Sequence, residues 1–122
     1  MKLEDFELYK RTRELSREAW GVYHQLSWQD KKIIGDQFMR SVDSVGANIA
    51  EAWGRYHFLD KNKFNYNARG SLTESIHWIN LLAERSFIPS KQCDTLQSKA
   101  SEIYFMLNAV ISATKIKSKE TT

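Results

Sequence analysis

One pair of side chains has a spacing known from metal sites: Glu74 and His77 form a Glu-x-x-His motif. In di-iron helical bundles this motif supplies two ligands from one helix, but the site needs two such motifs and two further glutamates. The last predicted helix contributes Glu102 and no histidine. A helical wheel also places Glu74 and His77 away from the apolar stripe of their helix. A solvated face or a subunit contact explains the pair better, and we expect no metal and no cofactor.

The nucleophiles and general bases of the chain do not form a catalytic set. Cys93 is the only cysteine and falls on an apolar stripe, so we expect a buried structural thiol. His24, His57 and His77 are far apart in sequence. Neither a glycine-rich phosphate loop nor a nucleophile elbow is present. The sequence therefore predicts a protein that is not an enzyme.

A polar row beside an apolar stripe has two interpretations. One is an interhelical hydrogen-bond network that fixes helix register, because buried polar groups are nearly always satisfied internally. The other is a ligand or nucleic-acid contact near Arg55, where a guanidinium and neighbouring aromatic faces could hold phosphate and base. The spacing does not decide between them. The row is Gln37, Ser44, Asn48 and Arg55, with Arg40 and Glu51 adjoining and Trp53, Tyr56 and His57 next to Arg55.

The length and composition of the chain indicate that these residues are held by a single helical domain. A chain of 122 residues with 15 aromatic side chains is large enough to bury a core without disulfides or a structural metal. Five glycines and one proline leave little turn chemistry for a β-sandwich or a barrel. We therefore expect an all-α fold.

Four apolar stripes with spacings of three and four predict four long helices. We place them at about residues 5–26, 28–53, 61–86 and 89–115, followed by a basic tail at 115–122. Equal lengths and short connections favour an up-and-down antiparallel four-helix bundle. The stripes are, in chain order, Leu8, Thr12, Leu15, Ala19, Val22 and Leu26; Ile34, Phe38, Val42, Val45, Ile49 and Ala52; Ala68, Leu72, Ile76, Ile79 and Ala83; and Cys93, Leu96, Ala100, Ile103, Leu107, Val110 and Thr114.

Residues with capping propensity mark the predicted helix ends. Ser27 and Asp30 have the S-x-x-D form of a capping box, in which the serine hydroxyl accepts a hydrogen bond from an orphan amide. Asp5 and Asp60 can cap the first and third helices. Gly54 stands where a glycine in the left-handed conformation can end the second helix.

Charge and the absence of apolar runs limit the partners. Residues 1–60 carry nine basic and ten acidic side chains, and residues 61–122 carry nine and five, so the net charge of +3 lies in the second half. This mild imbalance permits contact with nucleic acid without arguing strongly for it. The N-terminus lacks the apolar core of a secretion signal, and no apolar run approaches the ~20 residues that span a bilayer. We expect a cytoplasmic protein without a membrane partner.

A second apolar row lies about a quarter turn from the aliphatic stripes of two helices. Patches of this kind mark contacts with another chain, and they predict a homo-oligomer. The alternative is that the aromatics wrap the edge of the bundle with their polar tips in solvent. The predicted contact residues are Tyr9, Trp20, Tyr23, Trp78 and Leu81.

Two segments resemble a bacterial four-helix-bundle family encoded within intervening sequences of 23S rRNA genes. The first is the run from Arg40 to Arg55, RSVDSVGANIAEAWGR, and the second is Ala68-Arg69-Gly70-Ser71 followed by Glu74. Order and spacing agree with the family, and the resemblance covers nearly the whole chain. Gly46 stands where the family usually has proline, and Ala52 replaces a glycine.

The resemblance implies a fold and an assembly but no enzymatic activity. Family members look like ring-shaped homopentamers, and the related accessory variability proteins of diversity-generating retroelements associate with a reverse transcriptase and with nucleic acid. The leading hypothesis is an oligomeric bundle that binds RNA, DNA or a nucleoprotein. The alternatives are an adaptor that binds another protein through exposed aromatics and a metal-dependent bundle. Candidate nucleic-acid contacts are Arg40, Arg55, His57, Arg69, Lys115, Lys117 and Lys119, and the candidate structural polar network is Ser44, Asn48, Glu51, Ser71 and Glu74.

Overall fold

The computed structural model describes residues 1–120 and contains helices and no strand within that range. A 3₁₀ turn at Leu3–Asp5 precedes α1. α2, a five-residue π-helical turn and α3 follow one another without a break, because the residues at both junctions keep right-handed helical dihedral angles. The chain therefore has four long helical segments. The bounds are Glu7–Gln25 for α1, Trp28–Asp30 for α2, Lys31–Gly35 for the π turn, Asp36–Trp53 for α3, Phe58–Glu84 for α4 and Ser90–Glu120 for α5.

One hydrophobic core lies between α1, α3, α4 and α5. Each helix contributes fully buried aliphatic side chains, including Leu15, Val45, Ile79 and Ile103. α1 packs against α3 and α5, and α4 packs against the same two helices. The all-α bundle predicted from the stripes is confirmed at this level.

The predicted core stripes of α1 and α3 are buried throughout. The stripe predicted for α4 is partly wrong: Ile76 is half-buried and Ala83 is exposed, whereas Ser75 and Leu82 are fully buried. Ser75 is buried because its hydroxyl has polar partners inside the bundle, and its Oγ lies 3.0 Å from that of Ser41 on α3. In α5 the stripe includes Ile111, and Val110 is only half-buried.

The predicted helix starts have mixed outcomes. Ser27 caps α2 as predicted, with its Oγ accepting a hydrogen bond from the Asp30 N–H at 3.1 Å. The caps predicted at Asp5 and Asp60 are wrong, because the N-cap residues of α1 and α4 are Phe6 and His57. Neither of these side chains makes a capping hydrogen bond. The carboxylate of Asp5 instead accepts a hydrogen bond from the Lys2 N–H at the 3₁₀ turn.

The left-handed residue that ends a helix is Ser86, not Gly54. Gly54 is right-handed at φ −77°, because the last turn of α3 tightens through a hydrogen bond from the Arg55 N–H to the Ala52 carbonyl. Ser86 has φ 54° and follows α4. Its N–H bonds the Ala83 carbonyl, and the next N–H, from residue 87, bonds the carbonyl of residue 82. This pair of bonds is the Schellman pattern.

The basic tail predicted at 115–122 is helical through Glu120, so the predicted end of the last helix at residue 115 is wrong; residues 121–122 lie outside the described range. α4 also begins at Phe58, three residues earlier than predicted. The early turns of α4 and the late turns of α5 therefore lie side by side, and the Asn62 side chain donates a hydrogen bond to the Ile111 carbonyl across them.

Gly35, in the π turn, is required by close packing. It is buried against the end of α1, where an added Cβ would lie 2.9 Å from Cδ1 of Leu26 and 3.1 Å from Cε1 of Tyr23. Tyr23 is held in turn by a 2.6 Å hydrogen bond from its hydroxyl to Asp36. Two contacts thus hold the π turn against the end of α1: the close packing at Gly35 and the hydrogen bond to the next residue, Asp36.

Candidate nucleic-acid interface

Positive charge gathers at one end of the bundle, which we call the basic end. It is formed by residues 55–69 and 110–120, which carry seven basic and two acidic side chains. The remainder of the chain has eleven basic and thirteen acidic side chains, so the net charge of +3 comes from this end. The basic residues are Arg55, Lys61, Lys63, Arg69, Lys115, Lys117 and Lys119, and the acidic residues are Asp60 and Glu120.

Buried amides fix α4 against α5 at the basic end. Asn62 Nδ2 donates to the Ile111 carbonyl at 3.1 Å, and Asn65 Nδ2 donates to Asn62 Oδ1 at 3.0 Å. Both asparagines are buried. A buried polar side chain stabilises the fold only when its partners are in place, so these bonds fix the register of the two helices. The charged residues of both helices are positioned by that register.

Cations of the basic end lie over aromatic rings. The guanidinium carbon of Arg69 is 5.1 Å from the centroid of Tyr66, and Lys115 Nζ is 5.7 Å from the same ring. Arg69 also donates a 3.0 Å hydrogen bond to Asn108 on α5. On another side of α4, the guanidinium of Arg55 lies 4.6 Å from the ring of Phe64. Alternation of cations with exposed rings suits a ligand that has both phosphates and flat bases.

A groove between α4 and α5 adjoins Tyr66. Its volume is about 420 Å³, and its lining includes the exposed side chain of Leu59 together with Lys115 and Lys119. The groove is therefore lined by an apolar side chain from α4 and by basic side chains from α5.

The Lys61 side chain caps the C-terminal end of α3. Its Nζ donates to the carbonyls of Ala52 and Trp53 at 3.2 and 3.3 Å, which are among the last carbonyls of that helix. Burial disfavours the charged amine and is the main cause that lowers the pKa of Lys61, and the nearby charge of Lys117 lowers it further. Two ammonium groups thus lie close together beside a helix end.

Six of the seven predicted nucleic-acid contacts lie at or beside the basic end. Arg69, Lys115, Lys117 and Lys119 belong to α4 and α5, and they have been described above. His57 is exposed in front of α4, with its ring against Tyr56. Arg55 forms a 2.6 Å ion pair with Glu51. Arg40 is separate: it lies thirteen residues before the end of α3, about 20 Å along the helix, beside Asp36 and Asp43.

Several residues of the basic end were missed by the sequence analysis. Lys61 and Lys63 lie in the first turns of α4, and Tyr66 lies one turn later. The segment 61–66, Lys-Asn-Lys-Phe-Asn-Tyr, combines lysines and asparagines with two aromatic residues, and this mixture is a signal that could have found the surface. The buried positions of Asn62 and Asn65 could not be found in the same way, because apolar periodicity does not register a buried amide.

The residues of the predicted polar network bond to partners four residues away in the chain, so the prediction that they link helices is corrected. Asn48 Nδ2 donates to the Ser44 carbonyl, and Ser71 offers its carbonyl to the hydroxyl of Ser75. Glu51 and Glu74 are exposed and pair with Arg55 and Trp78, each four residues further along the chain; Arg55 lies just beyond the end of α3. The nearest partner for these side chains is the next helical turn. Side-chain bonds that join helices within residues 1–120 include those of Ser16 with Asp43, Tyr23 with Asp36, Ser41 with Ser75, Lys61 with the carbonyls of residues 52 and 53, Asn62 with the carbonyl of residue 111, Arg69 with Asn108 and Asn80 with Gln97, together with the Arg11–Glu102 ion pair.

The predicted oligomer contacts occupy two separate places. Trp20 is 53% exposed and stacks on Tyr23, with ring centroids 5.6 Å apart and an interplanar angle of 5°. Together with Tyr9 these residues line grooves between α1 and α3. Trp78 and Leu81 are on α4 and are half-buried against their own core. α1 and α4 are not neighbours in the bundle, so the five residues form two patches.

Glu74 and His77 are exposed, and the Glu74 carboxylate accepts a 3.0 Å hydrogen bond from the Trp78 indole. Within residues 1–120, no three side chains of His, Cys, Asp or Glu lie close enough to hold a metal ion. Cys93 is buried as predicted. None of the helices described in residues 1–120 has the length and apolar character required to span a bilayer.

Comparisons with known proteins identify relatives. The profile of the 23S rRNA-intervening sequence protein family matches residues 4–109. A crystal structure from Bacteroides thetaiotaomicron VPI-5482, described as a protein of unknown function from the S23 ribosomal protein family, superposes with a TM-score of 0.80. The two are 25% identical, and the match covers 85% of this chain and 97% of the other. A comparison with curated proteins gave no match.

Proposed function

Because the chain belongs to the 23S rRNA-intervening sequence protein family, we propose that it is a cytoplasmic, non-enzymatic, oligomeric bundle that binds nucleic acid through its basic end. The observation that carries this proposal is the concentration of seven basic against two acidic residues around exposed rings. Lysine and arginine release counterions from phosphates, and aromatic rings stack on bases without regard to sequence. The basic end therefore suits single-stranded or looped RNA or DNA.

Oligomerisation increases the strength of such a surface. One subunit offers at most seven cations here, a modest number, but each added copy repeats them around the assembly. The two aromatic patches support a homo-oligomer, because patches on different helices allow one copy to contact the next in a closed ring. A pentamer is the size implied by the family resemblance. Native mass spectrometry would test it, and a monomer at micromolar concentration would contradict it.

The proposal includes an up-and-down antiparallel arrangement of the four helices. The hydrogen bonds between neighbouring helices support this order, because residue numbers rise along one helix as they fall along the next. Asn62 bonds residue 111, Arg69 bonds residue 108 and Asn80 bonds residue 97. Residue 16 bonds residue 43 and residue 23 bonds residue 36 in the same manner.

The salt dependence of binding tests the nucleic-acid proposal. Fluorescence anisotropy with a labelled single-stranded RNA is expected to show binding at ~50 mM salt that weakens linearly on a log–log plot. The double variant Lys63→Gln/Lys115→Gln removes two phosphate contacts and should reduce that slope by about 1.4, at about 0.7 per contact. The control Lys10→Gln/Lys91→Gln removes the same charge from exposed positions elsewhere on the molecule and should retain the slope.

Two results would contradict the proposal. One is an absence of binding at low salt. The other is an equal loss of slope in the two double variants, because it would assign the effect to net charge and not to the basic end.

An adaptor function is the second candidate, favoured by the exposure of Trp28 at 73% and of Phe105 at 78%. Large exposed rings suit the centre of a protein interface. Affinity purification with and without nuclease distinguishes the candidates. A partner that stays after nuclease treatment supports the adaptor, and one that is lost supports nucleic-acid binding.

A further inference from the structure

A small cavity lies where the end of α3 meets α4 and α5. It has a volume of about 190 Å³ and is lined by the rings of Phe6, Trp53 and Phe58, the amines of Lys61 and Lys117, and the Asn65 side chain. Phe6 and Trp53 stack with centroids 5.0 Å apart and form one aromatic wall. Drug-sized ligands occupy pockets of about 300 to 1,000 Å³, so this cavity suits one planar ring system.

Two cationic side chains, Lys61 and Lys117, line this cavity, and no carboxylate within residues 1–120 lines it. The pKa of Lys61 is lowered by burial and by the charge of Lys117, and no acidic group raises it. Lys61 is also oriented: two of its three N–H donors are used by the Ala52 and Trp53 carbonyls, and the third has no acceptor within residues 1–120. An anion between the two amines would accept that donor and remove the repulsion.

Asn65 supplies a polar group aimed into the same cavity. The residue is 4% exposed, and its Nδ2 is bonded to Asn62. Its Oδ1 accepts no hydrogen bond from residues 1–120 and is not sealed from solvent, so it is free to accept one from a ligand. An amide oxygen at the wall of an aromatic cavity can accept a hydrogen bond from the edge of a nucleobase.

We propose that this cavity binds one nucleotide unit, with its base against Trp53 and Phe58, its edge at Asn65, and its phosphate between Lys61 and Lys117. The inference rests on the proposed nucleic-acid binding and assigns it a specific site. The nucleotide is either free or the terminal nucleotide of a strand, since both present the same base and phosphate. Asp60 is in the first turn of α4 but does not line the cavity.

Fluorine NMR of protein labelled with 5-fluorotryptophan tests the site, because the chain has four tryptophans and only Trp53 lines the cavity. The Trp53→Phe variant assigns its resonance. Titration with AMP, CMP, GMP or UMP is expected to shift the Trp53 signal and to leave those of Trp20, Trp28 and Trp78 in place. Inorganic phosphate should shift it less. A Trp53 signal that neither a mononucleotide nor a 5′-phosphorylated strand moves overturns the inference.

Substitution of Lys117 tests the phosphate contact without removing the lysine that closes α3. Lys117→Gln is expected to weaken nucleotide binding about tenfold, the usual effect of losing one charge-assisted hydrogen bond. Lys91→Gln, at the opposite end of the same helix, is the matched control and should leave the affinity unchanged. Equal affinity in wild type and Lys117→Gln contradicts the phosphate assignment.

Titrations with oligonucleotides distinguish a free nucleotide from the end of a strand. They also distinguish failure of the cavity proposal from failure of the proposed function. A 5′-phosphorylated strand that shifts Trp53, when its unphosphorylated form does not, identifies a strand end. Mononucleotides that act alone identify a free nucleotide. Salt-dependent strand binding with an unmoved Trp53 signal rejects the cavity and keeps the proposed function. A mononucleotide shift with no strand binding keeps the cavity and rejects the proposed function.

Discussion

Replacement of Ser86 by glycine is expected to stabilise the protein, because Ser86 holds φ 54° at the end of α4. A left-handed conformation costs a non-glycine residue about 1 to 2 kcal/mol, and glycine avoids that cost. Glycine loses about 0.4 to 1 kcal/mol more than alanine in chain entropy on folding. The net gain is about 1 kcal/mol, which raises the melting temperature of a chain of this length by about 4 °C.

The measurement is thermal unfolding followed by circular dichroism at one fixed protein concentration, since the stability of an oligomer depends on concentration. Ser101→Gly is the matched control, because Ser101 is exposed within the regular part of α5. The same change should lower stability there by about 0.5 kcal/mol, the difference between the helix propensities of serine and glycine. An unchanged or lower melting temperature for Ser86→Gly would refute the assigned strain.

Three further predictions concern close packing, the buried thiol and the buried amine. Gly35→Ala should destabilise the protein by about 1 to 3 kcal/mol, since the added Cβ meets Leu26 and Tyr23. Gly21→Ala, with open space around the added Cβ, should stabilise it by about 1 kcal/mol. Urea unfolding measures the stability of both variants. Burial raises the pKa of the Cys93 thiol, so a disulfide reagent at pH 8 should modify this thiol only as fast as the protein unfolds. Modification of the folded protein at the rate of a free thiol would contradict the burial of Cys93. The pKa of Lys61 is lowered on folding, so the cost of burying its charge is present at neutral pH and is relieved as pH rises from the folded pKa toward the unfolded value of 10.5. Wild type should therefore gain stability relative to Lys61→Met in that pH range. A constant difference in stability between the two proteins would contradict this prediction.

The sequence allowed much of the core to be predicted, because apolar residues return every three or four positions where a helix faces only apolar neighbours. α1 and α3 come close to that condition, with Thr12 and Ser41 as their buried polar side chains, and their stripes are buried at every predicted position. α4 does not, since Asn62, Asn65 and Ser75 belong to its buried face. Their burial depends on acceptors in other helices, such as the Ile111 carbonyl, and those acceptors are positioned only by the fold.

The candidate interface was predictable in part for a similar reason. Clusters of lysine and arginine are visible in the sequence, and most of the predicted contacts lie at one end of the bundle. Arg40 does not, because it shares a polar row with Arg55 but lies about 20 Å from the end of α3 along the helix. Lys61 was missed because the role of its amine depends on contact with the end of α3, which apolar periodicity does not reveal.

The π turn at Lys31–Gly35 sets the direction in which Trp28 points. A π turn contains one residue more than an α turn, so everything before it is rotated by about 100° relative to a continuous α-helix. Loss of the exposed Lys32 from this segment would let the helix become regular while the buried Ile34 and Gly35 and the core stripe of α3 stayed in place. Trp28 would then leave its present direction, and the exposed ring that precedes α3 would face a different neighbour. Single-residue deletion is thus a way to reorient one aromatic surface of this bundle without altering its interior.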